Sequence, residues 1–183
     1  MHTIGASAPA ISRWQSPGGT AVTIRPTRPE DAKITQDFVR ELSPQSRYFR
    51  FMGTLRELTP QTLRRFVSVD NEREVALVAV TAQDGRMRQL GECRYAACAD
   101  GDSCEFAVAV LDAWQRRGLG RRLMSELIHI ARIRGFEAII GEVLSNNSSM
   151  LALASKLGFE VSPSSDEYSI KHISLALPRR HAC

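Results

Sequence analysis

The chain has 183 residues, 43% of them hydrophobic, and carries 24 Lys and Arg against 20 Asp and Glu for a net charge of +4. That length and apolar share fit one domain with a real core, and no apolar run approaches the ~20 residues a helix needs to cross a bilayer. The first residues lack the basic start and apolar stretch of a secretory leader, so a cytoplasmic location without membrane attachment is expected. Cys93, Cys98, Cys104 and Cys183 form no CxxC pair and lack histidines at zinc spacing, which predicts neither disulfides nor a metal site.

Residues 1–19 are small, polar and punctuated by Pro and Gly. They predict a flexible N-terminal arm, with Trp14 available to dock, ahead of one domain over 20–178 and a tail over 179–183. Ala21–Pro26 predicts the first strand. Thr27 or Arg28 then caps a helix that has Pro29 at its first position, acids in its first turn and an end near Leu42. Ser43-Pro44 starts a second helix. In it Tyr48, Phe49 and Phe51 suit core packing, while Arg47 and Arg50 are the better candidates for touching a ligand. Thr59-Pro60-Gln61 opens a third, short helix to about Val67.

Arg73–Val80, Arg88–Cys98 and Cys104–Val110 predict three strands joined by turns at Asp84-Gly85 and Asp100-Gly101, an antiparallel meander. Gly91 marks a bulge or close packing. From Gly118 the apolar spacing becomes helical, with Leu119, Leu123, Leu127 and Ile130 on one face and Met124, Ile128 and Ala131 beside them. Glu137–Leu144 is the next strand. A strand–helix–strand crossover makes it parallel to Cys104–Val110. A helix capped by Ser or Asn and ended by Gly158, a short strand at 159–163 and a last strand over Glu167–Leu177 complete the chain. The predicted class is α/β. It is a mixed sheet of about seven strands, mostly antiparallel, with one parallel pair between the fourth and fifth, flanked by helices.

The loop Gln115–Gly120 stands out. A helix start offers unpaired N–H groups and a partial positive charge, and so attracts anions. Acids are usual in a first helical turn; here Arg116, Arg117, Arg121 and Arg122 crowd it instead. That conflict points to a bound polyanion such as a pyrophosphate. The string GxxxxGK[ST] is absent, and Leu123 stands where a dinucleotide fingerprint needs its third glycine. No long basic run or aromatic-basic interleaving favours nucleic acid, so none is expected as a partner.

The Q-x-x-G-x-G pattern, between a strand and a helix and followed by NNSSMLALASKLGFE, resembles the GNAT superfamily of acyl-CoA-dependent N-acyltransferases. Their signature is [R/Q]-x-x-G-x-[G/A]. IRPTRPEDA resembles the opening of such domains, and LSPQSRYFRF resembles the LSPESRYLRF form of bacterial Pat-like protein acetyltransferases. The resemblance implies a GNAT fold and acetyl-CoA as cosubstrate. It also implies that Gln115, Arg116, Arg117, Gly118, Leu119, Gly120 and Arg121 wrap the pyrophosphate, mostly by backbone N–H groups. Val108, Ala109 and Val110 would pair with the pantetheine arm, and Asn147 would contact the pantetheine or ribose region. Arg47 and Arg50 would lie at the acceptor wall. The implied acceptor is a primary amine, first a protein lysine, with a small-molecule amine as the alternative. Dimers are frequent in the superfamily, and the sequence neither demands nor excludes one.

A lysine amine has an ordinary pKa near 10.4 and must lose a proton before it attacks a thioester. Glu105, a carboxylate heading an apolar strand, is the expected base, with burial raising its pKa toward a useful value. It matches the strand position of the base in many GNAT enzymes. Glu142, in GEVL, is the second choice. Cys104 offers a weaker alternative as a nucleophile. Ala154 occupies the place of the family's usual acid tyrosine, which leaves Ser155, Ser149 or water to protonate the thiolate. That departure keeps open a non-catalytic module that binds acyl-CoA.

Overall fold

The computed structural model describes residues 12–163 and 169–178. Residues 1–11 of the expected arm and the 179–183 tail, with Cys183, lie outside the described residues. Among the described residues, eight strands form one sheet in the order β1-β2-β3-β4-β5-β6-β8-β7. They are β1 (Ser12–Gln15), β2 (Ala21–Pro26), β3 (Glu74–Gln83), β4 (Arg86–Ala97), β5 (Ser103–Val110), β6 (Ala138–Leu144), β7 (Glu160–Pro163) and β8 (Ile170–Ala176). The helices are α1 (Ala32–Glu41), α2 (Pro44–Phe51), α3 (Pro60–Val67), α4 (Leu119–Ile133) and α5 (Ser148–Lys156).

The expected count of about seven strands is corrected to eight. The addition is β1, inside the stretch read as an arm. SRWQ pairs antiparallel with β2, Trp14 opposite Val22. The parallel pair read as the fourth and fifth strands is therefore β5–β6. Gly91 does mark a bulge: Ala79 faces Gly91 and Val80 faces Gln89, so Leu90 is the extra residue.

Alternation along the strands sorts the helices onto two faces. Cys93 Sγ donates to Leu123 O of α4 at 3.3 Å. The preceding residue on β4, Glu92, points the other way and meets Arg50 of α2 at 2.8 Å. So α1–α3 cover one face and α4, with α5 beside it, covers the other. The α4 stripe lands as its spacing requires, with Leu119, Leu123, Met124 and Leu127 wholly buried. Helix starts are set by capping side chains. Ser43 Oγ accepts from Ser46 N at 3.1 Å and Thr59 Oγ1 from Thr62 N at 3.2 Å, each with Pro in the first turn. The first helix opens as a 3-10 turn, Pro29–Asp31, where the Asp31 carboxylate takes both Arg25 and the Arg28 N–H.

Candidate active site

After β5 the chain makes a 3-10 turn at Asp112–Trp114 and enters α4 through Gly118. Gly118 sits at φ 92 and Arg116 at φ 58, in the left-handed region. Glycine meets that demand freely, and an arginine there stores strain of a kind found at ligand clamps. Arg122 N bonds back to Gly118 O at 3.1 Å, so the amides of Leu119, Gly120 and Arg121 lie ahead of the helical ladder. No acid occupies that first turn. The Arg117 guanidinium stands 5.5 Å over the Trp114 ring and that of Arg122 5.2 Å over Trp14. The indoles thus hold two of the cations at the rim, Trp14 coming from the added strand. Amides ahead of the helical ladder, a helix N-terminus and exposed guanidinium groups fit a polyphosphate. The Gln115 side chain is engaged elsewhere, donating to Val110 O and Ser46 Oγ, both at 3.1 Å.

Beside this loop the sheet splits. β5 and β6 pair only over Ser103–Glu105 with Ala138–Ile140. Beyond that rung the Phe106 ring wedges against Gly141, where a Cβ would sit 2.8 Å from Cε1. Val108, Ala109 and Val110 keep their ladder to β4 but do not pair with β6 among the described residues, and Val110 O takes the Gln115 side chain. A freed strand edge is a template for an extended, amide-bearing chain, which suits the expected pantetheine arm. Asn147 caps α5, its Oδ1 accepting from Met150 N at 3.1 Å.

Glu105 occupies the last paired rung before the split. The expectation that it is buried is corrected: it is exposed. Its neighbours in register are Ala96 and Ile140, and they leave the carboxylate open to solvent. Glu142 is also exposed, with His172 Nδ1 at 3.7 Å. Since Ile140 pairs with Glu105, Glu142 lies on the same face, so both carboxylates open beside the split.

The buried carboxylate on this face of β4 is Glu92, which the sequence reading passed over. Its side chain is 5% exposed, 2.8 Å from Arg50 Nε and 3.5 Å from Arg94 Nε. Burial pushes its pKa up, but the two guanidinium groups outweigh this and hold it below the ordinary glutamate range. Arg50 and Arg94 also stack on aromatic rings, Arg50 4.9 Å from the Phe51 centroid and Arg94 3.9 Å from that of Phe66. Arg50 is thus tied to the protein rather than presented freely to a ligand. Arg47 donates to the carbonyls of Arg40 and Leu42, closing the end of α1. The signal available in the sequence was one Glu inside an apolar strand, between Gly91 and Cys93.

Two hollows open along the α2–α3 side. One, of about 460 Å³, is walled by Phe51, Leu55, Leu58 and Phe66. The other, of about 600 Å³, is rimmed by Arg40, Arg47, Tyr48 and Arg56. Neither lies over the Gln115–Gly120 loop. Cys104 is fully buried and its thiol is pushed up to about 12 by burial, which removes it as a nucleophile. Ala154 is fully buried in α5, whereas Ser149 and Ser155 are exposed. Among the described residues no three His, Cys, Asp or Glu side chains converge as metal ligands.

The sequence pattern of the Acetyltransferase (GNAT) family matches residues 33–159. An acetyltransferase of Pseudomonas aeruginosa is 39% identical over 141 residues, covering 77% of this chain and 76% of its own length. An L-methionine sulfoximine/L-methionine sulfone acetyltransferase of the same organism is 36% identical over 58 residues, 32% of this chain and 34% of its own. The GNAT domain of S. lividans PAT superposes with a TM-score of 0.82 at 26% identity, covering 91% of this chain and 97% of that domain. YncA of Salmonella typhimurium, solved with its cofactor acetyl-CoA, gives 0.64 at 24% identity over 88% of this chain and 96% of that one.

Proposed function

Because the chain belongs to the acetyltransferase (GNAT) family and is an acetyl-CoA-dependent N-acetyltransferase, we propose that Glu105 is its general base and a protein lysine its acceptor. The amine nitrogen forms a bond to the acetyl carbonyl carbon, the carbon–sulfur bond breaks, and the amine proton passes to Glu105, directly or through one water. Coenzyme A leaves as the thiolate, which takes its proton from water where Ala154 supplies no acid. An N–H of the freed β5 edge, among Val108, Ala109 and Val110, polarises the thioester carbonyl. The Leu119, Gly120 and Arg121 amides, with Arg116 and Arg117, take the pyrophosphate. Asn147 reaches the coenzyme from the start of α5 with the amide nitrogen its cap leaves over. Glu142 is the alternative base.

One observation carries the base assignment: Glu105 stands on the final β5–β6 rung, where the split begins, and faces the side walled by α2 and α3. A thioester lying in the split brings its carbonyl to that rung. Support for a protein acceptor comes from the superposition on the PAT domain and from the LSPQSRYFRF string. A small-molecule amine is the second reading, favoured by the 460 Å³ apolar hollow and by the partial match to the methionine sulfoximine/sulfone enzyme.

The test is thiol release from acetyl-CoA against lysine-bearing proteins and a panel of small amines, with Glu105→Gln alongside. Turnover on proteins, lost in the variant while coenzyme A still binds, supports the proposal. Turnover confined to free amines transfers the acceptor to the second reading. Full turnover by Glu105→Gln removes Glu105 as base.

A further inference from the structure

α2 is fastened at both ends. At its C-terminal end Arg50 bonds Glu92 at 2.8 Å beneath the acceptor wall. At its N-terminal end the fastening comes from the turn that leads into the coenzyme loop. The Asp112 carboxylate accepts from Ser43 N at 3.0 Å, Ser43 Oγ at 2.7 Å and Ser46 Oγ at 2.8 Å. Ser46 Oγ also accepts from Gln115 Nε2, and the same Nε2 donates to Val110 O. One side-chain chain therefore joins the first turn of α2, the start of the coenzyme loop and the end of the freed β5 edge. The contacts span 66 to 69 residues of sequence, so they fix tertiary placement rather than a local turn.

We propose that Asp112 is a positioning residue that couples occupancy of the coenzyme loop to the placement of α2, the acceptor wall. This rests on the coenzyme reading of the loop given above. Ligand on the amides ahead of α4 immobilises Gln115, and through Ser46 and Asp112 it immobilises the first turn of α2. The wall then takes its working position only when coenzyme is present, which orders the two substrates. A carboxylate at the N-terminus of α2 also favours that helix by its charge, so a local stabilising role must be told apart from coupling. A local role slows or speeds α2 opening equally with and without coenzyme. Coupling changes the ratio between the two states.

Amide hydrogen exchange reads that ratio without an acceptor. With saturating coenzyme A, the wild-type amides of 115–121 and of 45–51 both slow, the latter by about fivefold. In Asp112→Ala the slowing at 115–121 persists and that at 45–51 falls, the direct Gln115 Nε2–Ser46 Oγ bond alone remaining. Asp112→Asn, which keeps one accepting oxygen, recovers part of it. Ser46→Ala, which keeps the Ser43 cap, gives the same loss and serves if Asp112→Ala does not fold. Slowing at 115–121 without slowing at 45–51 in the wild type overturns the coupling alone, as does an unchanged ratio in the folded variants. No slowing at either segment overturns the coenzyme reading of the loop, and the coupling with it.

Discussion

Glu92 joins β4 to α2 and α3 through two arginines, and the three charges share one desolvated space. Removing one member leaves the others buried without compensation, which costs about 3–5 kcal/mol for a buried pair. Glu92→Ala is therefore expected to lower the unfolding free energy by about that amount, measured by urea denaturation at neutral pH. The sign with pH follows from the lowered pKa. Stability contributed by Glu92 is complete above its ordinary value of 4.5 and is lost as pH falls through the lower folded value. Unfolding followed from pH 6 downward should show wild type converging on Glu92→Gln only below that ordinary value. Convergence at higher pH would mean that the carboxylate is not held low. Glu105 behaves differently because it is exposed. Glu105→Gln should leave stability within about 0.5 kcal/mol, as for a surface change. It should lower kcat by about 100- to 10,000-fold, the range for a lost general base. The parallel Glu142→Gln variant decides between the two carboxylates. Glu105 was legible as a carboxylate heading an apolar strand. Its exposure was not, since cover depends on where the helices end on the sheet. Glu92 was hidden for the same reason: its partner Arg50 lies 42 residues earlier, and no local pattern announces that contact.

At the level of elements, the loop and the wedge each depend on a glycine. Gly118 at φ 92 disfavours any side chain by about 1–2 kcal/mol. Gly118→Ala relieves that strain by moving the amides that follow, so acetyl-CoA should bind about tenfold more weakly, a shift of about 1.4 kcal/mol by calorimetry. Unchanged affinity would mean that the amides are not the anchor. The strand–loop–helix unit was legible because its apolar period changes from strand to helix at the glycines. The meander was legible from its two Asp-Gly turns. β1 was not: SRWQ has one large apolar residue, and an edge strand of four residues is specified by backbone pairing to β2 rather than by alternation. Its role came into view only with Trp14 against Arg122.

Across the described residues, β1–β5 and β6–β8 are two parts of one sheet held together by three parallel rungs and by α4 lying against α5 at Gly120 and Leu153. A cosubstrate that lies in the split and grips the start of α4 adds contacts to both parts, and it binds the folded chain only. Free ligand at 100 times Kd should then stabilise the fold by about 2.7 kcal/mol. For a chain of this size that is a rise in Tm of about 5–10 °C. Inorganic pyrophosphate reaches the loop but not the split, so at equal concentration it should raise Tm less. It should also leave exchange at the 106–110 amides unchanged, while acetyl-CoA slows it. Equal slowing by both ligands would mean that closing the loop alone closes the split, and that the freed β5 edge is not where the acyl-bearing arm lies.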